Sequence, residues 1–279
     1  MVATAAPPNK SLDASDHPAM LNLIRAAAST QPLELSRMGV SMTRLDFLYL
    51  ALIAILLLLD YFVLWPMFLR RSQSDPGRAR VWLWSAWMSE LWTLVAAGFA
   101  VWLIEARAWG SLRLITPHGW RLWGAIGLVL AFAMINGRTV LRIARSTRRK
   151  RVKLGNPHVE KCAPHTRSEL GWWVALSLSA GFCEEFVFRG YLIWAFQPML
   201  GLWGAAAFSV VVFAVAHAYQ GGKGILGTGI VGSLLTLVVL ISGSLLPAMA
   251  LHALVDVGGG LAAWLVLRQV QGEGDRVAA

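Results

Sequence analysis

The sequence predicts an all-α, polytopic transmembrane helix bundle of seven or eight spans. Three observations carry this. The chain is 57% hydrophobic and only 14% charged, with mean hydropathy +0.57, outside the range of soluble domains. Its apolar runs reach membrane-spanning length. Fourteen Trp residues suit anchoring at the two lipid–water interfaces.

The elements follow in order. Residues 1–44 lack a continuous apolar stretch of the kind a secretory leader has. They read as a polar tail, with one short amphipathic helix around residues 18–28. Three N-terminal spans follow within residues 45–137. Phe47–Leu69 carries one charge, Asp60, and as a helix reaches about 35 Å. Val81–Ile104 carries only Glu90, and Leu122–Gly137 is short. Residues 138–168 form a basic loop. Residues 169–269 hold the remaining spans, over Leu170–Leu202, Gly204–Tyr219, Ile225–Leu246 and Leu245–Leu267. Pro198 and Gly201 mark the end of the first of these; splitting Leu170–Leu202 gives the eighth span. Residues 270–279 are a tail.

Charge sets the orientation. Ten of the 25 Lys and Arg lie between Arg138 and Arg167, against one acid, Glu160. The net charge of +10 is therefore local. Beside membrane spans it signals topology and contact with anionic lipid at residues 138–153, not a nucleic-acid surface. Arg70, Arg71, Arg78 and Arg80 flank the first loop. The first and third loops are expected in the cytoplasm, and the chain is expected to be a multi-pass protein of the plasma (inner) membrane. Two cysteines, Cys162 and Cys183, give no disulfide framework and no zinc-thiolate spacing.

Against this apolar background stand Glu184, Glu185, Arg189, His217, His252 and Asp256. A charge at mid-bilayer costs roughly 2.5–3.5 kcal/mol on insertion scales, so such groups are functional candidates. On a helix Glu185 and Arg189 are i and i+4 and can pair, which makes their burial tolerable. Glu184 is rotated about 100° away and remains an unpaired carboxylate suited to general-base work. Phe213 and His217 share one helix face, as do His252 and Asp256. The latter spacing suits a metal pair or a hydrogen-bonded couple in which Asp orients the imidazole. Helix–helix glue is the competing explanation for each group alone. Intervals of 33 residues from Glu184 to His217 and 35 from His217 to His252 allow all three motifs to converge at one depth. Zinc held by Glu184, His217, His252 and Asp256 is one option, although no His-Glu-x-x-His helix is present. A proton relay in a coupled transporter is another, and a non-catalytic immunity or binding protein a third.

The ordered triple Glu184-Glu185-x-x-x-Arg189, Phe213-x-x-x-His217 and His252-x-x-x-Asp256 resembles the signature motifs of type II CAAX prenyl endopeptidases and their bacterial relatives, the CPBP or ABI family of intramembrane proteases. The resemblance spans about residues 170–265. It implies an endopeptidase acting inside the bilayer on a membrane protein or lipid-anchored peptide. Glu184 and His217 would activate water; His252, with Asp256, would stabilise the oxyanion or orient the substrate; Glu185, Arg189 and Phe213 would support the site. The resemblance leaves a glutamate mechanism and a zinc mechanism both open. The family's third motif most often ends in Asn, and Asp256 cannot donate a hydrogen bond unless protonated.

Overall fold

The computed structural model describes residues 42–145 and 156–277, with side chains to residue 268. The tail helix expected around residues 18–28 and residues 146–153 of the basic run lie outside the described residues. The described part is helical, with no strand.

Helix α1 (Arg44–Leu59) runs through a π-helical segment (Asp60–Leu64) into α2 (Trp65–Arg71). Helix α3 (Pro76–Ile104) starts where Pro76 takes the first helical position and Asp75 accepts from Arg78 N–H at 3.0 Å, a paired N-terminal signal. Helix α4 (Trp120–Arg145) is longer than the short third span expected, so the first residues of the basic stretch are helical. A short α5 (Pro157–Cys162) leads to α6 (Arg167–Glu184), which opens with a Thr166/Glu169 capping box. A second π segment (Glu185–Leu192) joins α6 to α7 (Ile193–Ala216). Helices α8 (Gly221–Ser242) and α9 (Leu246–Val277) complete the chain.

Among the described residues six segments are long and apolar enough to cross a membrane, fewer than the seven or eight expected. The difference lies in Arg167–Ala216, counted as one fifty-residue segment. It is a hairpin. At Gly201 the backbone takes φ +67°, ψ 170°, open to glycine and disfavoured for other residues. Beyond the turn the chain returns antiparallel: Phe196 packs on Phe208 at 4.5 Å, and Ser209 Oγ donates to Phe188 O at 2.6 Å. The returning arm, at roughly 1.5 Å per residue, is only about 22 Å long, too short to count as a span by itself.

Contacts sort the connections into two ends. At one end the first loop, α5 and the turn after His217 meet. Trp65 packs against Tyr219 (5.1 Å) and His158 (6.2 Å), and Asn156 Nδ2 donates to Gln220 O at 2.8 Å. There Arg80 grips Glu169 at 3.1 and 2.9 Å, both buried. At the other end buried Asp46 accepts two bonds from Arg107 (2.6 and 2.7 Å) and one from Tyr191, while Leu245 N–H donates to Arg113 O at 2.9 Å. The first and third loops and the turn at 217–223 therefore share one end, the one the basic residues mark.

Lipid gives helices little hydrophobic reason to associate, so close packing through small residues has to hold them. A Cβ at Gly98 would meet Tyr49 Oη at 2.7 Å; one at Gly181 would meet the Ala253 N and Met249 O backbone atoms at 2.8 and 2.9 Å. The second contact brings α6 against α9, and with them two of the three motifs.

Candidate active site

Three elements carry the motif side chains to one place. Glu184 ends α6 and Glu185 begins the π segment; turned about 100° apart as helical neighbours, the two face different partners. Glu185 is fully buried. Its Oε1 accepts from Arg189 at 2.9 Å, the pair expected from the sequence, and from His252 Nδ1 at 2.8 Å. Arg189 is also fully buried. It donates to Gly232 O at 3.1 Å and Thr236 Oγ1 at 3.3 Å, and its guanidinium lies 4.0 Å over the Phe213 ring. Glycine is required at 232, where a Cβ would stand 2.9 Å from both Arg189 and Phe213.

Glu184 turns to the open side. It lines a cavity of about 560 Å³ together with His217, His252 and Asp256. Its Oε2 lies 3.8 Å from His252 Nε2 and has no hydrogen-bond partner. Asp256 Oδ2 lies 3.6 Å from the same nitrogen. His217 follows the last turn of α7, with Nδ1 2.8 Å from Phe213 O. A carbonyl only accepts, so Nδ1 carries the proton and Nε2 keeps its lone pair. The Phe213 ring packs against both imidazoles, 4.7 Å from His217 and 5.9 Å from His252.

One expectation is corrected. Of the two readings of the His252-x-x-x-Asp256 spacing, a metal pair or Asp256 orienting the imidazole, the second does not hold. The i,i+4 spacing does bring the two close, but His252 Nδ1 donates to Glu185, which reaches across from the facing helix. The 3.6 Å approach of Asp256 to Nε2 is too long for a hydrogen bond. Asp256 itself is held through its backbone: Trp173 Nε1 donates to Asp256 O at 2.8 Å. The Gly258–Gly260 run permits this, since a Cβ on Gly260 would stand 2.0 Å from Trp173 Nε1 and one on Gly258 2.8 Å from Asn136 Oδ1.

The cavity also contains residues the motifs do not reveal. Asp60 and Trp87 are joined by a 2.6 Å bond from the indole N–H, and Glu90, Tyr219 and Lys223 complete the wall toward the basic end. The signal for Asp60 and Glu90 was present: each is the only charge in its span, and the rule that flags intramembrane ionisable groups applies to them equally.

Among the described residues no three His, Cys, Asp or Glu side chains converge as a metal-binding group. His252 Nδ1 is taken up by Glu185, whose Oε1 also accepts from Arg189. The expected set of Glu184, His217, His252 and Asp256 is assembled around a cavity, not around a point.

No curated protein and no solved structure matches the chain. Residues 166–258, the segment that carries all three motifs, match the family model described as type II CAAX prenyl endopeptidase Rce1-like, in agreement with the CPBP resemblance of the sequence.

Proposed function

We propose that this chain is an intramembrane endopeptidase that hydrolyses a peptide bond in a membrane protein or lipid-anchored peptide. The observation that carries the reading is the gap between Glu184 Oε2 and His252 Nε2, 3.8 Å wide, with Asp256 Oδ2 3.6 Å from the same nitrogen. Polar groups at such separations are suited to sharing a water molecule. Glu184, or His217 through Nε2, takes a proton from that water as its oxygen attacks the scissile carbonyl carbon. The carbonyl electron pair moves onto oxygen. His252, donating from Nε2 when protonated, stabilises that oxyanion, as donors preplaced for developing charge do. The intermediate collapses, the C–N bond breaks, and the proton passes to the leaving amine. Glu185 and Arg189 fix the His252 ring from behind. Asp256 favours the charged imidazole electrostatically.

The 560 Å³ cavity is largely apolar, lined by residues such as Leu57, Leu91, Leu94, Leu176 and Val231. It suits an unwound, apolar stretch of substrate. We assign the chain to the plasma membrane, with Arg138, Arg142 and Arg145 at the end of α4 set to meet anionic lipid.

Glu184→Gln and His217→Ala test the reading in purified protein, with a fluorogenic peptide reporter in liposomes. Glu184→Gln should lose at least a hundredfold in kcat, the range for removal of a general base, and His217→Ala should lose tenfold or more, about 1.4 kcal/mol in barrier. Cleavage by Glu184→Gln at the parent rate would refute the mechanism.

A further inference from the structure

We infer that Asp60, a residue of the first span and outside the matched segment, is a positioning residue of the same site, setting the electrostatics under which Glu184 and His217 take up a proton. The inference rests on the peptidase reading above.

Asp60 opens the π segment that interrupts the first span, and a π turn inside an α-helix often marks a functional position. Its Oδ1 is pinned at 2.6 Å by Trp87 Nε1 from the neighbouring helix. It lines the same cavity as Glu184 and His217, and interacts electrostatically with both. The other ionisable groups around it are Glu90 from α3, Cys162 from α5, Tyr219 from the turn after α7 and, in the same cavity wall, Lys223 from α8. Among the described residues no Lys or Arg forms an ion pair with Asp60.

The sign of its effect does not depend on which group accepts the proton from water. A negative charge across the cavity stabilises an imidazolium at His217 by attraction. It also makes the Glu184 carboxylate a stronger base by repulsion between like charges. Both favour proton removal from the attacking water, and neither requires Asp60 to touch the substrate. The Trp87 bond and the enclosed site keep Asp60 in place.

The effect should therefore appear in kcat and not in KM. Asp60→Asn keeps the shape and can still accept from Trp87, but lacks the charge. Its kcat for a fluorogenic peptide in liposomes should fall on the order of tenfold, with KM within about twofold. Asp60→Glu, which restores the charge, should recover most of the loss. Parental kcat in Asp60→Asn, a loss confined to KM, or equal loss in Asp60→Glu would each overturn the inference. Thermal unfolding in detergent reports folding. If Asp60→Asn does not fold, Trp87→Phe carries the test, because it frees the carboxylate from its anchor: kcat should fall with KM retained, and parental kcat overturns the inference. Glu184→Gln, run in parallel, separates the two levels. If Glu184→Gln is inactive and Asp60→Asn is unaffected, the peptidase reading stands and this inference fails.

Discussion

Replacing Arg189 by Met removes a guanidinium from a place where nothing else can substitute for it. The side chain is fully enclosed and donates to Glu185, Gly232 O and Thr236 at 2.9, 3.1 and 3.3 Å. Met retains an apolar stem against Phe213, so packing changes little. Thr236 loses little too, because its hydroxyl still donates to Gly232 O at 2.8 Å. Glu185 bears the cost. Its Oε2 has no partner even in the parent, and without Arg189 its only contact is His252. Interhelical hydrogen bonds in membranes average only about 0.6 kcal/mol each, whereas stranding one member of a buried pair costs about 3–5 kcal/mol. The charge term therefore dominates. Adding Glu185→Gln removes the stranded charge, so the double variant should be more stable than Arg189→Met, with a coupling of about 2–3 kcal/mol at the upper end for contacting residues. Unfolding by SDS titration in mixed micelles, followed by tryptophan fluorescence, measures each corner of the cycle. If Arg189→Met unfolds with the parent, or the two losses add, then the pair is not what makes burial of Glu185 tolerable.

Two further outcomes follow from the packing. Gly260→Ala places a Cβ 2.0 Å from Trp173 Nε1, so the indole must leave Asp256 O; stability should fall by about 1–3 kcal/mol, as for overpacking, whereas Gly259→Ala, with nothing within 4 Å, should unfold with the parent. Burial pushes the Cys162 thiol up to about 12, against an ordinary value of 9.0; native protein at pH 8 should react with a thiolate-specific maleimide on the order of a thousandfold more slowly at this site than unfolded protein, and equal rates, read by peptide mass mapping, would show that the α5 region is open.

The helical bundle, the burial of Glu185 with Arg189 and the convergence of the three motifs could all be read from the sequence, because each depends on composition or on i,i+4 spacing. The partner of His252 could not. Spacing identifies neighbours on one helix, so it offered Asp256; Glu185 comes from another helix, and its approach depends on the Gly181 contact with the α9 backbone. The π segments were equally hidden. A residue pattern does not distinguish one wide turn from regular helix, and the wide turn shows itself only in what it requires, such as Ser209 Oγ satisfying Phe188 O at 2.6 Å. The span count differed for a related reason: Gly201 signals a turn clearly, but not whether the shorter arm beyond it can cross by itself.

Access to the cavity with bonding capacity left over, more than position in a motif, separates the side chains that build this site from those left free in it. Arg189 is fully used: its donors meet a carboxylate, a carbonyl and a hydroxyl, and its face meets a ring. Glu185 Oε1 and His252 Nδ1 complete that arrangement, and Glu185, although its Oε2 stays unpaired, is enclosed away from the cavity. Glu184 Oε2, His252 Nε2 and the Asp256 carboxylate are left with separations of 3.6 and 3.8 Å, and His217 keeps a bare nitrogen. Unsatisfied polar groups in a low-dielectric interior are costly. A fold would shed that cost if they served only to hold helices together, since the Arg189 cluster and the Gly181 crossing already do so. Two adjacent glutamates thus face different ways, Glu185 into the Arg189 cluster and Glu184 into the cavity, because successive helical residues are turned about 100° apart. Exchanging their environments, not their identities, is what would abolish the site.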